Sequence, residues 1–141
     1  MYLLKQIKVK MKTILVTGGA GFLGAYICKE LCKKDDYVIC LDNLYTGSER
    51  NINTLKRLPN FSFLKHDICD PIDLAVNEIY NFACPASPPH YQANPVQTMK
   101  TSVFGALNML ELARKNGAKI IQASTSEIYG DPLIHPQPET Y

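Results

Sequence analysis

An open α/β fold, a parallel sheet wound by helices on both faces, is what the sequence predicts. Three observations carry it. Short β-branched runs alternate with helical periodicities along the chain. The first run breaks into a glycine-rich turn that opens directly onto a helix. The second run closes on an acid, Asp42, at the same end of the strand as that turn.

Residues 12–17 (KTILVT) form the first strand, a β-branched run stopped by glycines. Residues 22–34 follow as a helix, with Phe22, Leu23, Tyr26, Ile27 and Leu31 at helical spacing. Residues 37–41 (YVICL) are the second strand. A polar loop covers residues 42–50, and a helix then continues through Leu58, where Pro59 stops it. The third strand is FSFLK at 61–65 and the fourth is EIYNFA at 78–83. Pro85, Pro88, Pro89 and Pro95 forbid regular structure across residues 84–95. A long helix occupies residues 96–116, with Val96, Met99, Val103, Leu107, Leu110 and Ala113 as its core stripe and Gly117 as its stop. KIIQAS at 119–124 is the fifth strand, and the proline-rich tail from Tyr129 is loop. Right-handed crossovers make all five strands parallel. The order 3-2-1-4-5 sets a switch point beside the first strand, which is a Rossmann-like, doubly wound sheet.

A chain of 141 residues suits one domain. Its 46% hydrophobic and 20% charged residues exclude a disordered chain. The net charge is +2, and Lys5, Lys8, Lys10 and Lys12 crowd the amino terminus, so the remainder is near neutral. Nothing there makes an electrostatic case for nucleic acid. No apolar run approaches the ~20 residues that span a bilayer. Lysines interrupt the leader, so it lacks the apolar core of a signal peptide. Met11, just before the first strand, is an alternative start. Residues 1–11 therefore read as a basic leader and residues 12–141 as the folded domain. Cys28, Cys32, Cys40, Cys69 and Cys84 include no C-x-x-C pair, which points to reduced thiols and a cytoplasmic location. His66, His90 and His135 have no metal-ligand spacing, so no metal is expected.

The turn reads Thr17, Gly18, Gly19, Ala20, Gly21, Phe22, Leu23, Gly24. Two glycine spacings overlap in it, G-x-x-G-x-x-G and G-x-G-x-x-G. Glycine serves three needs: a tight turn, a close backbone approach to a pyrophosphate, and helix packing on strand. The helix start then presents N–H groups and its dipole to phosphates. Asp42 follows Gly24 at close to the ~20-residue spacing at which an acid takes the adenosine ribose. Its carboxylate accepts both ribose hydroxyls and repels a 2′-phosphate, which favours NAD over NADP. The plainer alternative is a turn that only packs, with Asp42 as a helix cap.

The TGxxGxxG form resembles the extended short-chain dehydrogenase/reductase family of NAD-dependent nucleotide-sugar epimerases and dehydratases. Residues 41–47 (LDNLYTG) are similar to its adenosine-wrapping loop, and His66, Asp67 and Ile68 to the end of its third strand. The resemblance narrows to the UDP-glucuronate decarboxylases of that family through NFACPASP at 81–88 and STSEIYGDP at 124–132. For the cofactor it implies Gly18, Gly21, Phe22 and Leu23 at the phosphates. Asp42, Asn43, Thr46 and Gly47 surround the adenosine, and Asp67 and Ile68 meet the adenine amino group. Phe82 and Cys84 flank the nicotinamide, with Cys84 otherwise a plain buried thiol, and Thr101 and Ala123 line the cofactor. For catalysis it implies that Thr125 bonds the sugar hydroxyl to be oxidised, Ser126 contacts the sugar carboxylate and Glu127 assists at the carbon that loses it. Tyr91, Lys100 and Asn108 match substrate-contacting positions, although Lys100 also reads as a solvated helix lysine.

The implied reaction is decarboxylation of UDP-glucuronate to UDP-xylose through a 4-keto intermediate, with NAD recycled in place. One departure stands out. The family base is a tyrosine followed four residues on by lysine, and none of the eight tyrosines here has that partner. The sequence therefore reads as a cofactor domain cut before the catalytic helix and the substrate domain, inactive by itself. Two alternatives stay open: a nucleotide-sugar epimerase or dehydratase, which Ser126 and Glu127 argue against, and a non-catalytic NAD-binding module. For the full-length family the resemblance also implies a homodimer, in which the 96–116 helix pairs with the helix expected to cover strand five, beyond these residues.

Overall fold

A computed structural model describes residues 11–141. The leader lysines Lys5, Lys8 and Lys10 lie outside the described residues. Five parallel strands pair in the order β3-β2-β1-β4-β5, as expected from the sequence. They are β1 (Thr13–Thr17), β2 (Tyr37–Asp42), β3 (Phe61–Lys65), β4 (Glu78–Asn81) and β5 (Lys119–Gln122).

Both faces of the sheet are covered over β1 and β2, because alternate side chains of a strand point opposite ways. Ile14, Val16, Val38 and Cys40 pack with Cys28, Leu31 and Cys32 of α1 (Phe22–Cys32) and with Ile52 and Leu55. Leu15, Leu41 and Ile79 pack on the other face with Met109, Leu112 and Ala113 of α4 (Ala106–Asn116). Parallel strands buried on both sides explain why these runs read as continuously apolar.

Several expectations are corrected. The helix expected up to Leu58 is two 3-10 turns, Glu49–Ile52 and Leu55–Arg57. Leu58 is forced extended (ψ 138°) ahead of Pro59, so no α-helix forms there. The prolines of residues 84–95 do not forbid helix. Pro88 and Pro89 open α2 (Pro88–Ala93), and Pro95 opens α3 (Pro95–Lys100), positions where a missing N–H breaks no bond. Asn94 caps α3 by accepting the Gln97 N–H at 3.1 Å. The long helix continues from α3 through a π turn, Thr101–Gly105, into α4.

The expected core stripes are also corrected. Val96, Met99, Val103, Leu107 and Leu110 lie about half exposed, while Thr101, Gly105, Met109 and Leu112 face inward with Ala113. In α1, Phe22, Leu23 and Tyr26 are exposed and Gly24, Cys28, Leu31 and Cys32 are buried. Helical spacing alone does not say which of two adjacent stripes meets the sheet. Here the inward stripes mix small and large residues, with Gly24 against the glycine turn, where the backbones approach closely, and Gly105 against Ile68. Gly117 ends α4 as expected, at φ +62° with its N–H returned to the Ala113 and Arg114 carbonyls. Among the described residues no helix is long and apolar enough to cross a membrane, and no cluster of His, Cys, Asp or Glu could hold a metal ion.

Candidate functional site

A cleft of about 1200 Å3 lies at the carboxyl ends of the strands, around the switch between β1 and β4. Open α/β sheets bind ligands at that point. A smaller hollow, about 540 Å3, lies on β4 and β5 near Glu78 and Lys119 and includes no residue of the glycine turn.

The floor of the cleft is the glycine turn. Gly18 takes φ +64°, and a Cβ on it would stand 2.8 Å from the Phe82 carbonyl oxygen. A Cβ on Gly24 would stand 2.7 Å from the Gly19 Cα. The turn is held from behind, where Ser48 N–H and the Asn51 amide both donate to the Ala20 carbonyl, at 3.0 and 2.8 Å. No side chain caps α1 at Gly21, so its first-turn N–H groups are left to the cleft.

Two carboxylates flank this helix start. Asp42 is 6% exposed. Its Oδ2 accepts the Ala20 N–H at 3.0 Å and its Oδ1 the Leu44 N–H at 2.8 Å. Neither donor belongs to a helix, so Asp42 is not a helix cap. Gly47 crowds the same carboxylate, with room for no Cβ (2.8 Å to Oδ1). Leu44 sits at φ +63°, a strained value for a bulky side chain, and closes the loop around Asp42. Asp67 accepts the Cys69 N–H at 2.9 Å and the Asn43 amide at 3.0 Å. Burial works against its ionisation, but the Cys69 N–H and the Asn43 amide outweigh burial and hold the carboxyl below its usual range.

Most residues singled out from the sequence line this cleft: Gly18, Gly21, Phe22, Leu23, Asp42, Asn43, Thr46, Asp67 and Ile68 around β1, β2 and β3, and Phe82, Cys84, Tyr91, Thr101, Ala123 and Thr125 beyond them. Cys84 is exposed beside the Ser102 hydroxyl at 3.4 Å, so the alternative of a plain buried thiol does not hold. Ser126 and Glu127 lie in a 3-10 turn just past the cleft wall, where the Thr125 hydroxyl accepts the Glu127 N–H at 3.2 Å. Lys100 is exposed outside the lining. Asn108 is also outside it, and its amide donates to the Ile68 and Cys69 carbonyls at 2.8 and 3.0 Å.

Two features escaped the sequence reading. The Thr17 hydroxyl donates to Asn81 Oδ1, and the Asn81 amide donates to Gln122 Oε1 at 2.7 Å. This relay, buried at Thr17 and Asn81 and exposed at Gln122, ties together the ends of β1, β4 and β5. The signal was present: three polar residues fall opposite one another once strand order aligns Thr17 with Asn81 and Asn81 with Gln122. The second is a contact across the mouth, where the Tyr45 ring meets His90 edge-on at 6.4 Å and the Ser87 hydroxyl lies 2.5 Å from His90 Nδ1.

Residues 15–141 match the family model described as GDP-mannose 4,6 dehydratase. UDP-glucuronic acid decarboxylase 4 of Arabidopsis thaliana is 51% identical over 135 residues, which is 96% of this chain and 30% of that protein. Among solved structures, a UDP-N-acetylglucosamine 4-epimerase from Methanobrevibacter ruminantium superposes with a TM-score of 0.81 at 30% identity, covering 93% of this chain and 43% of the epimerase. A dTDP-glucose 4,6-dehydratase from Streptomyces venezuelae, solved with NAD bound, gives 0.74 at 30% identity over 84% of this chain and 41% of its own.

Proposed function

The chain belongs to the extended short-chain dehydrogenase/reductase family that the GDP-mannose 4,6 dehydratase model describes, and from that premise we propose that it supplies the NAD-holding domain of a UDP-glucuronate decarboxylase. The observation that carries the cofactor half is one cleft joining an uncapped helix start to two fixed carboxylates. That donor set fits a dinucleotide. The first-turn amides of α1 suit a diphosphate. Each Asp42 oxygen still has a lone pair free for a ribose hydroxyl after accepting its backbone N–H. Asp67 keeps acceptor capacity for an adenine amino group.

When bound, NAD supplies hydride removal and return at the sugar without net redox change. The chain's own part is to bind, orient and bond. Asp42 excludes a 2′-phosphate by charge and by the crowding of Gly47 against it. In this reading Thr125, at the cleft wall, bonds a sugar hydroxyl. Ser126 and Glu127 follow it at the substrate side, where they suit a sugar carboxylate and the carbon that loses it. Support for the decarboxylase reading is the 51% identity to the Arabidopsis enzyme together with this Ser-Glu pair. No tyrosine from Tyr2 to Tyr129 has lysine four residues on, so in this reading the general base is not among them. In the same reading, the exposed apolar face of the long helix belongs to the homodimer contact of the full-length enzyme. The five unpaired cysteines support a cytoplasmic setting.

Calorimetric titration with NAD and NADP tests the cofactor half. NAD should bind at least ~10-fold tighter, a difference of about 1.4 kcal/mol. Equal affinities would overturn the role of Asp42, and UDP-xylose formed by the isolated chain would overturn the placement of the base.

A further inference from the structure

The turn that follows β3 carries Asp67 and Ile68, and one stripe of the neighbouring long helix grips it. Asn108 donates both amide hydrogens to that turn, to the Ile68 carbonyl at 2.8 Å and the Cys69 carbonyl at 3.0 Å. Gly105 leaves the space that Ile68 fills, since a Cβ there would stand 2.5 Å from Ile68 Cγ1. The Cys69 thiol lies 3.7 Å from the Thr101 hydroxyl and 3.6 Å from the Gln97 amide nitrogen. Residues 97, 101, 105 and 108 are spaced four, four and three apart, which puts them on one helix face. The widened π turn, Thr101–Gly105, lies where Ile68 presses in. The opposite stripe touches nothing comparable and is exposed at Met99, Val103 and Leu107.

We infer that Asn108 and Gly105 are positioning residues for the adenine end of the dinucleotide: the helix locks the Asp67 and Ile68 turn into the shape that receives a purine. The inference rests on the NAD reading above and gives Asn108 a task other than substrate contact. The physical reason is that a recognition edge works only if it is held before the ligand arrives. Asp67 is already fixed from one side by Asn43 and by Cys69 N–H. Among the described residues the Ile68 and Cys69 carbonyls behind it take their side-chain hydrogen bonds from Asn108, while the His66 ring bonds the next carbonyl, that of Asp70, at 3.0 Å. The helix therefore acts on the adenine half of the ligand, while the nicotinamide half depends on residues after β4 and β5.

That division gives a test that a merely structural role would not pass. The full chain is titrated with ADP-ribose by calorimetry and with nicotinamide mononucleotide by NMR, with and without Asn108→Leu. Asn108→Leu should weaken ADP-ribose about 10-fold, as the loss of two neutral hydrogen bonds predicts, and leave the mononucleotide within about 2-fold. A variant that weakens both halves alike, or neither, overturns the inference. Gly105→Ala should show the same selective loss, and Gly105→Ala with Ile68→Ala should recover part of it, because the nearest remaining Ile68 atom would be Cβ at 3.5 Å. If Asn108→Leu yields no folded chain, the Gly105 pair decides on the same terms. Failure of the unsubstituted chain to bind ADP-ribose would instead bring down the NAD reading, and the inference with it.

Discussion

A single methyl group separates the roles of the glycines in the turn. On Gly24 it would stand 2.7 Å from the Gly19 Cα, and on Gly18 2.8 Å from the Phe82 carbonyl oxygen with φ at +64°. Those neighbours are backbone and cannot step aside, so the turn itself must open. On Gly21 the methyl would meet only the Gly18 oxygen, at 3.1 Å, and would otherwise project into the cleft. Gly24→Ala should therefore destabilise the fold by about 1–3 kcal/mol, the usual range for forced overpacking. Gly21→Ala should hardly move the thermal midpoint yet weaken NAD binding by blocking the approach of a diphosphate. Equal losses of stability in the two variants would show that Gly21 serves the turn and not the ligand. Calorimetric melting followed by NAD titration of both variants gives the comparison.

Elements were legible in the sequence wherever a local rule had only one outcome. Five parallel strands were legible from apolar runs alternating with helices and from right-handed crossovers, while the order 3-2-1-4-5 was a choice among doubly wound sheets that the structure bears out. The glycine turn and Asp42 were legible for the same reason, since both follow strand ends that the sheet brings to one side. What was not legible was which stripe of a helix faces inward. Val96, Met99, Val103 and Leu107 look like a core by spacing, yet the sheet and the turn after β3 take the small and polar residues Thr101 and Gly105. The relay of Thr17, Asn81 and Gln122 was missed because a polar residue at the end of a strand looks like the start of a loop until the strands are aligned. The end of α4 was read correctly, and it allows a clean measurement. Gly117 is at φ +62° and a Cβ there would meet nothing within 4 Å. Gly117→Ala thus isolates the left-handed backbone penalty, and the urea midpoint should fall by an amount equivalent to about 1 kcal/mol. A much larger loss would mean that unseen packing, rather than backbone strain, makes this position glycine.

At the scale of the whole molecule, the unexplained quantity is apolar surface. Val96, Met99, Val103, Leu107 and Leu110 remain 48–61% exposed along one helical stripe. Contiguous apolar surface of this kind marks an interface more often than chance exposure. A second candidate is β5, an edge strand among the described residues with Ile121 52% exposed, and unpaired edges also invite association. The two make different predictions. A helical stripe pairing with its own copy gives a closed, two-fold contact, so association should stop at the dimer. An edge strand adds copies without that limit unless its geometry closes. Sedimentation velocity over a range of concentrations should therefore show a monomer–dimer equilibrium with no larger species. Val103→Glu with Leu107→Glu should shift it to monomer, because each dimer would then bury four carboxylates near a two-fold axis. The same pair should leave the thermal midpoint of the monomer nearly unchanged, since exposed substitutions usually move stability by less than about 0.5 kcal/mol. Ile121→Glu should leave the dimer intact. If Ile121→Glu abolishes association and the helix pair does not, the edge of the sheet is the contact and the helical face has some other partner.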